Sequence, residues 1–266
     1  MTGTGPADPR LLAAALAAAD LARTVIRPYF RTAVAADVKD DESPVTVADR
    51  AAEQAMRALL SERLPETGIL GEEFGLDRPD ARLRWVLDPI DGTRAFLTGR
   101  PTFGTLIGLL DDGVPVLGII DQPITGERWI GQAGQPTRFD APLGGTPRTR
   151  ACASLGRAEL SCTDPAMMRG DSAQRFAALQ DAVARTSWGG DCYAYGLLAL
   201  GQIDIIAERT MKVWDWTALV PVIEGAGGRV TDWAGRRLRP DSDGSVLAVG
   251  DPSLTAPAAA LLHVAR

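Results

Sequence analysis

The chain has 266 residues, 45% of them hydrophobic and 23% charged, with a formal net charge of −6. That composition is ordinary for a globular protein and suffices for one large domain or two small ones sharing an interface. No basic tract stands out, which argues against nucleic acid or an anionic membrane as a partner and leaves a phosphorylated substrate dependent on metal ions for local positive charge.

Taken in chain order, residues 9–32 read as a long helix that ends near Pro28. Its apolar run from Leu11 to Ala19 is too short to span a membrane and lacks the basic lead-in and cleavage pattern of a secretory signal, so a cytoplasmic location is expected. "DVKDDESP" reads as an exposed loop. "VTVADRAAEQAMRALLSERLP" has apolar positions at helical spacing and stops at Pro65. "GILGEEF" is a short strand running into an acidic turn, and "LRWVLD" is a second, buried strand. From Phe103 to Ile130, β-rich runs alternate with Asp-Asp-Gly and Pro-containing turns, the pattern of an antiparallel meander.

Residues 132–150 are rich in Gly, Pro and Thr and mark an expected boundary between an N-terminal half, 1–145, and a C-terminal half, 146–266. In the second half strands are predicted at "AELSCT", "QIDIIAE", "GRVTDW" and "SVLAVGD". Helices are predicted at "DSAQRFAALQDAVART", "DCYAYGLLALG", "DWTALVPVIEGAGG" and "SLTAPAAALLHVAR". Helices and mixed strands interleave throughout, which places the chain in the α/β (α+β) class as a layered sandwich.

Two residue types narrow the chemistry. The three cysteines, Cys152, Cys162 and Cys192, show no CxxC spacing and their number is odd, so buried free thiols in a reducing compartment are expected. The sole histidine is His263, which removes Ser-His-Asp and Cys-His catalysis and His-based zinc sites. Carboxylates, hydroxyls, backbone groups and hard cations remain.

Carboxylates recur where strands end and helices begin. In "WVLDPIDGTRAF" Asp88 precedes a proline that holds it extended at a strand end, and Asp91-Gly92-Thr93 reads as entry to a short helix. Such a turn aims two carboxylates and the Ile90 carbonyl at one point, an all-oxygen donor set suited to Mg²⁺ or Mn²⁺. The amides around Gly92 and Thr93 are placed to hold a phosphate. Alone, the motif reads first as a turn with an Asp cap. Glu72 and Glu73 of "GEEF" follow another strand, and Asp215 sits between two tryptophans directly before a predicted helix, where it could serve as a simple cap. Three such sites in one chain fit a cluster of two or three metal ions.

"GEE", "DPIDGTxxF" and "WDWxALxxxxEGAGG", in this order and spacing, resemble the inositol monophosphatase-type family of metal-dependent, lithium-sensitive phosphatases, over roughly residues 10–260. The resemblance implies an αβαβα layered sandwich, a homodimer, and Mg²⁺ held by Glu72, Asp88, the Ile90 carbonyl, Asp91 and Asp215. It further implies that Thr93 and Asp49 orient and activate the attacking water, with Glu72 assisting. Lys39, Asp40 and Asp41 match the family's mobile loop.

The segment "SWGGDCYAYGLLALGQIDIIAE" should read the non-phosphate end of the substrate, through Gly190, Asp191, Glu208 and the neighbouring Asp215. Inositol-type members have a Gly-Ser/Thr-Ala-Ala run where Gly190 to Tyr193 stand. Two acids on the leaving-group side favour a cationic substrate, and the segment resembles the histidinol-phosphatase branch of histidine biosynthesis. Asp191 could instead cap the helix starting at Cys192, and Trp188, Tyr193 and Tyr195 could be either a stacking surface for an imidazole or core. The competing expectations are an inositol or other sugar or nucleotide phosphate as substrate, and a non-catalytic phosphate- or metal-binding protein.

Overall fold

The computed structural model describes residues 8–33, 36–38 and 44–263. The first helix, α1 (Pro9–Ile26), begins with Asp8 capping the Arg10 amide and Pro9 at its first position. A single 3-10 turn, Arg27–Tyr29, follows it. A two-stranded hairpin, β1 (Ala36–Val38) and β2 (Pro44–Thr46), leads into α2 (Val47–Arg63). Strands β3 (Gly68–Gly71), β4 (Gly75–Asp77) and β5 (Leu83–Asp91) precede the short helix α3 (Thr93–Leu97). The predicted meander is β6 (Gly104–Asp111), β7 (Val114–Asp121) and β8 (Arg128–Gln132), extended by β9 (Arg138–Asp140).

The second half contributes β10 (Glu159–Cys162), α4 (Asp171–Ala182), β11 (Arg185–Trp188), α5 (Asp191–Ala199) and β12 (Ile205–Glu208). It ends with α6 (Val213–Trp216), α7 (Leu219–Gly225), β13 (Arg229–Thr231), β14 (Val246–Val249) and α8 (Thr255–Leu262). Strands β3 to β9 form a seven-stranded sheet in the order β4-β3-β5-β6-β7-β8-β9, parallel only between β3 and β5. The other sheet has five strands in the order β11-β10-β12-β14-β13, with β10 parallel to both its neighbours.

Helices α1 and α2 cover one face of the larger sheet, α5 and α7 fill the space between the sheets, and α4 and α8 cover the far side of the smaller one. The result is the expected αβαβα sandwich. Three apolar clusters occupy its interlayer spaces: one around Leu60, Trp85 and Phe103, one around Trp129, Tyr195 and Ile223, and one around Leu160, Trp233 and Leu262. A buried charge fastens α1 to the larger sheet. Asp121, fully buried, accepts bonds from Arg23 at 2.6 Å and from Arg128 at 2.5 Å. All three cysteines are free and buried, and no helix among the described residues is long and apolar enough to cross a membrane.

Three local expectations need correction. The helix expected from Asp215 to Gly228 is two helices, α6 and α7, because Pro221 has no amide to bond back to Thr217. The helix expected to run to Thr186 stops at Ala182; Arg185–Trp188 instead extends the smaller sheet by pairing with Glu159–Cys162. The strand before Asp88 does not end there. It continues to Asp91 through a bulge, since Asp88 pairs with Leu106 but Asp91 with Gly104, leaving Pro89 and Ile90 opposite one residue.

The middle helix layer lies unusually close to the larger sheet. A Cβ on Gly131 would fall 2.3 Å from the Pro221 carbonyl carbon, and one on Gly118 2.0 Å from the Ala218 oxygen. Gly131→Ala is therefore expected to cost about 3 kcal/mol and lower the thermal midpoint by roughly 5–10 °C in a melting experiment.

Candidate active site

The bulge in β5 and the ends of β3, β10 and β12 open onto one cleft of about 160 Å³. Glu72, Asp88, Ile90, Asp91, Gly92, Thr93, Asp191, Glu208 and Asp215 all line it. Carboxylate oxygens of Asp88, Asp91 and Asp215 lie within 4.8 Å of one another.

Each of these side chains is held by its own local structure. Asp88 turns back on its strand and accepts the Ile90 amide at 3.1 Å, while Thr105 bonds the Pro89 carbonyl at 2.8 Å and fixes the bulge. Gly92 takes φ +84°, a left-handed turn into α3 that a side chain would resist, and Thr93 donates to the Ile90 carbonyl at 3.2 Å. Asp215, expected as a metal ligand with a helix cap as the alternative, does not hold the cap position. It is the third residue of α6, and its Oδ2 accepts the Lys212 amide at 2.7 Å. Asp91 reaches across to the other half of the chain, where its Oδ2 accepts the Cys192 amide at 2.6 Å.

Asp191 is the first residue of α5, and its side chain makes no capping bond; Gly190 holds the cap position outside the cleft. Its backbone takes φ +44°, uncommon for a non-glycine residue. Its Oδ2 accepts the Thr102 hydroxyl at 3.3 Å. Glu208 is buried, with Oε1 on the Thr163 amide and Oε2 on the Tyr195 hydroxyl, both at 2.8 Å.

Asp49 is not among the residues lining the cleft; it is buried in the first turn of α2. Its Oδ2 accepts the Thr46 amide at 2.9 Å and the Thr46 hydroxyl at 2.5 Å. Lys39, Asp40 and Asp41 lie outside the described residues. Of the three aromatic side chains considered for stacking, only Tyr195 lines the cleft. Tyr193 bonds Glu127 at 2.8 Å, and Trp188 packs on Phe176 with ring centroids 5.6 Å apart.

Thr163, Met167 and Met211 also line the cleft and were not anticipated. The signal for Thr163 was present in "LSCTDP": a strand ending in Thr-Asp-Pro, parallel to the strand that ends in Glu208, brings both ends to the same rim. The methionines had no comparable signal.

The electrostatics favour a cation. Burial raises Asp88 well above the ordinary carboxylate range, and Glu72, Asp91, Asp215 and Asp49 each push it further. Asp91 is raised likewise, by burial and then by Asp191 and Asp215. Burial, with Glu72 and Glu208, pushes Asp215 up to about 7, although its bond from the Lys212 amide opposes the shift. Burial and Glu208 push Asp191 up to about 6 against the opposing pull of Arg100 and Arg94. Asp49 and Glu208 are raised by burial as well. The cysteine lining the cleft, Cys192, is held as a neutral thiol by burial and by Asp91. Oxygen donors crowded in this way fit a hard divalent ion, whose charge would compensate what the protein leaves uncompensated.

The layered α/β sandwich, with carboxylates converging at its strand ends, is the architecture of a family of phosphatases. The chain matches the model of the inositol monophosphatase family over residues 8–264 and belongs to that family. It is 46% identical over 241 residues to the chloroplastic bifunctional phosphatase IMPL2 of Arabidopsis thaliana, covering 90% of this chain and 69% of that protein. It is 39% identical over 226 residues to the histidinol-phosphatase of Mycobacterium tuberculosis, covering 83% of this chain and 86% of that one. A solved inositol monophosphatase from Zymomonas mobilis superposes with a TM-score of 0.89 at 48% identity, covering 98% of this chain and all of that one.

The raised carboxylates carry a stability consequence. The unfolded chain releases these protons near the ordinary 3.8, whereas the folded chain holds those of Asp191 and Asp215 to about 6 and about 7. Between those limits the folded state binds more protons, so its stability falls as pH rises. In chelator, the melting temperature is expected to drop between pH 5 and pH 7.5. Mg²⁺ added at the higher pH should raise it again, by the equivalent of about 2.7 kcal/mol at a hundredfold excess over Kd.

Proposed function

We propose that the protein is a Mg²⁺-dependent phosphomonoesterase whose preferred substrate is L-histidinol phosphate, hydrolysed to L-histidinol and phosphate. The observation that carries the substrate is the placement of half-buried Asp191 and buried Glu208 on the same cleft as the carboxylate cluster. A leaving group bearing an ammonium and an imidazole answers that charge; a neutral polyol does not. The 39% identity to a histidinol-phosphatase supports the same choice.

Glu72, Asp88, the Ile90 carbonyl, Asp91 and Asp215 would hold two or three Mg²⁺ ions, with Mn²⁺ as a substitute. Once bound, the ions supply Lewis acidity toward the phosphoryl oxygens and a lowered pKa for water. The chain's own groups do the positioning. The Gly92 and Thr93 amides face the phosphate. The Thr93 hydroxyl, whose proton is engaged by the Ile90 carbonyl, offers its lone pairs to the attacking water. Asp49, held by the Thr46 amide and hydroxyl in the first turn of α2, takes up that water's proton. Attack is direct and in line, and no side chain needs to become phosphorylated. Glu208 is prevented from turning away by Thr163 and Tyr195, so it meets the leaving group in a fixed orientation. The enzyme works as a cytoplasmic homodimer and shares the family's sensitivity to lithium.

The second reading is inositol 1-phosphate as substrate, favoured by the 48% identity to the Zymomonas mobilis inositol monophosphatase. Phosphate release in Mg²⁺ from histidinol phosphate, inositol 1-phosphate and a small set of sugar and nucleotide monoesters decides between them. Histidinol phosphate is expected to turn over fastest, and a large excess of inositol 1-phosphate turnover would overturn the preference.

Asp88→Asn is expected to abolish turnover while leaving the circular dichroism spectrum native. Asp191→Asn should lower kcat/KM for histidinol phosphate by about tenfold or more, the value of one charged hydrogen bond, and change inositol 1-phosphate turnover far less.

A further inference from the structure

Helix α2 presents Asp49, Glu53 and Arg57 at successive four-residue spacings, and therefore along one face. Glu53 is fully buried, which is rare for a glutamate and requires that its carboxylate be partnered. Both of its oxygens are committed. Oε2 accepts the Glu73 amide at 2.7 Å, while Oε1 accepts the Phe74 amide at 3.2 Å and Arg57 Nε at 2.7 Å. Arg57 then donates its other arm to the Gly75 carbonyl, so the pair grips the β3–β4 turn through three of its backbone groups. The carboxyl also lies flat against Gly71, where a Cβ would stand 1.9 Å from Oε1.

The residue inside this grip is Glu72. Its own amide donates to the Leu87 carbonyl at 3.2 Å, tying it to β5 just before Asp88. Its backbone is thus fixed on one side by the strand carrying Asp88 and Asp91, and on the other by the helix carrying Asp49.

We propose that Glu53, oriented by Arg57, is a positioning residue for the metal centre: by capping the turn after Gly71 it sets where the Glu72 carboxylate stands relative to Asp88 and Asp49. This rests on the reading of Glu72 as a metal ligand. Glu53 touches neither metal nor substrate, since its oxygens are used up on the turn and on Arg57. The same rigid helix carries Asp49, so one element places the proposed base and the proposed ligand together.

Glu53→Gln keeps the shape of the side chain, but its amide group must face either the Glu73 N–H or both the Phe74 N–H and Arg57, so at least one bond of the cap is lost. Arg57→Leu leaves the carboxylate in place and removes its orienting partner. Both are to be compared with wild type by calorimetric titration of the chelator-treated full chain with Mn²⁺, by melting temperature, and by steady-state kinetics at varied Mg²⁺. Glu53→Gln is expected to weaken Mn²⁺ binding by about tenfold or more, the usual effect of losing a partner that orients a ligand. The Mg²⁺ concentration for half-maximal rate should rise in step, with KM for the phosphomonoester at saturating Mg²⁺ within twofold of wild type. Arg57→Leu should shift the same quantities less far.

A purely structural role would lower the melting temperature and leave metal affinity alone. Mn²⁺ affinity within twofold of wild type in the folded variants overturns the proposal. Should Glu53→Gln fail to fold, Arg57→Leu decides on the same criterion. Wild-type protein that takes up no Mn²⁺ would overturn the metal reading itself, and the positioning role with it.

Discussion

Mutual repulsion among buried carboxylates is the constraint around which this molecule is built. Asp88, Asp91 and Asp215 converge in a cleft where burial and Glu72 already oppose ionisation. Crowding of this kind is costly, and a chain selected for stability alone would disperse it. Here each acid is pinned instead: Asp88 and Asp91 by the bulge and by the Cys192 amide, Asp215 by Lys212, and the Glu72 turn by Glu53. Three well-packed apolar layers supply the stability that permits it.

The two lengths of chain that meet at the cleft contribute differently. The larger sheet and α3 bring the carbonyl, two aspartates, a threonine and an acidic turn, which with Asp49 of α2 and Asp215 of α6 constitute the proposed hydrolytic apparatus. From the smaller sheet and its helices come Asp191, Glu208, Tyr195 and Thr163, which surround the space for whatever the phosphate is attached to. Asp191 stands in a left-handed conformation with its carboxyl against Gly92, close enough that a Cβ there would come within 2.6 Å of it. Strain of this sort at a cleft is a frequent mark of function, and here it accompanies the proposed discriminating group.

Much of this was legible in the sequence because the signals are local. Proline after Asp88, glycine after Asp91 and the 3.6-residue rhythm of α2 each act within a few residues, and they sufficed for the layered sandwich and for the acids that share the cleft. What escaped reading depends on distant partners. Arg185 and Thr186 looked helical until Glu159–Cys162 offered a parallel ladder, and the Asp215 helix looked continuous because Pro221 acts only on a bond four residues back. Glu53 resembled any polar residue of an amphipathic helix. Its burial follows from the turn that folds onto it some twenty residues later. Trp188 and Tyr193 looked suited to stacking by type, but their neighbours Phe176 and Glu127 draw them elsewhere.

The bond between Asp91 and the Cys192 amide joins residues 101 apart in sequence. Contacts that distant close late, after the loops between them have surrendered their entropy. Neither sheet holds the cleft by itself; it is complete only with the two docked, where the amide of the second residue of α5 meets the Asp91 carboxylate. Recovery of the site during refolding would report the final docking step and lag behind the return of secondary structure.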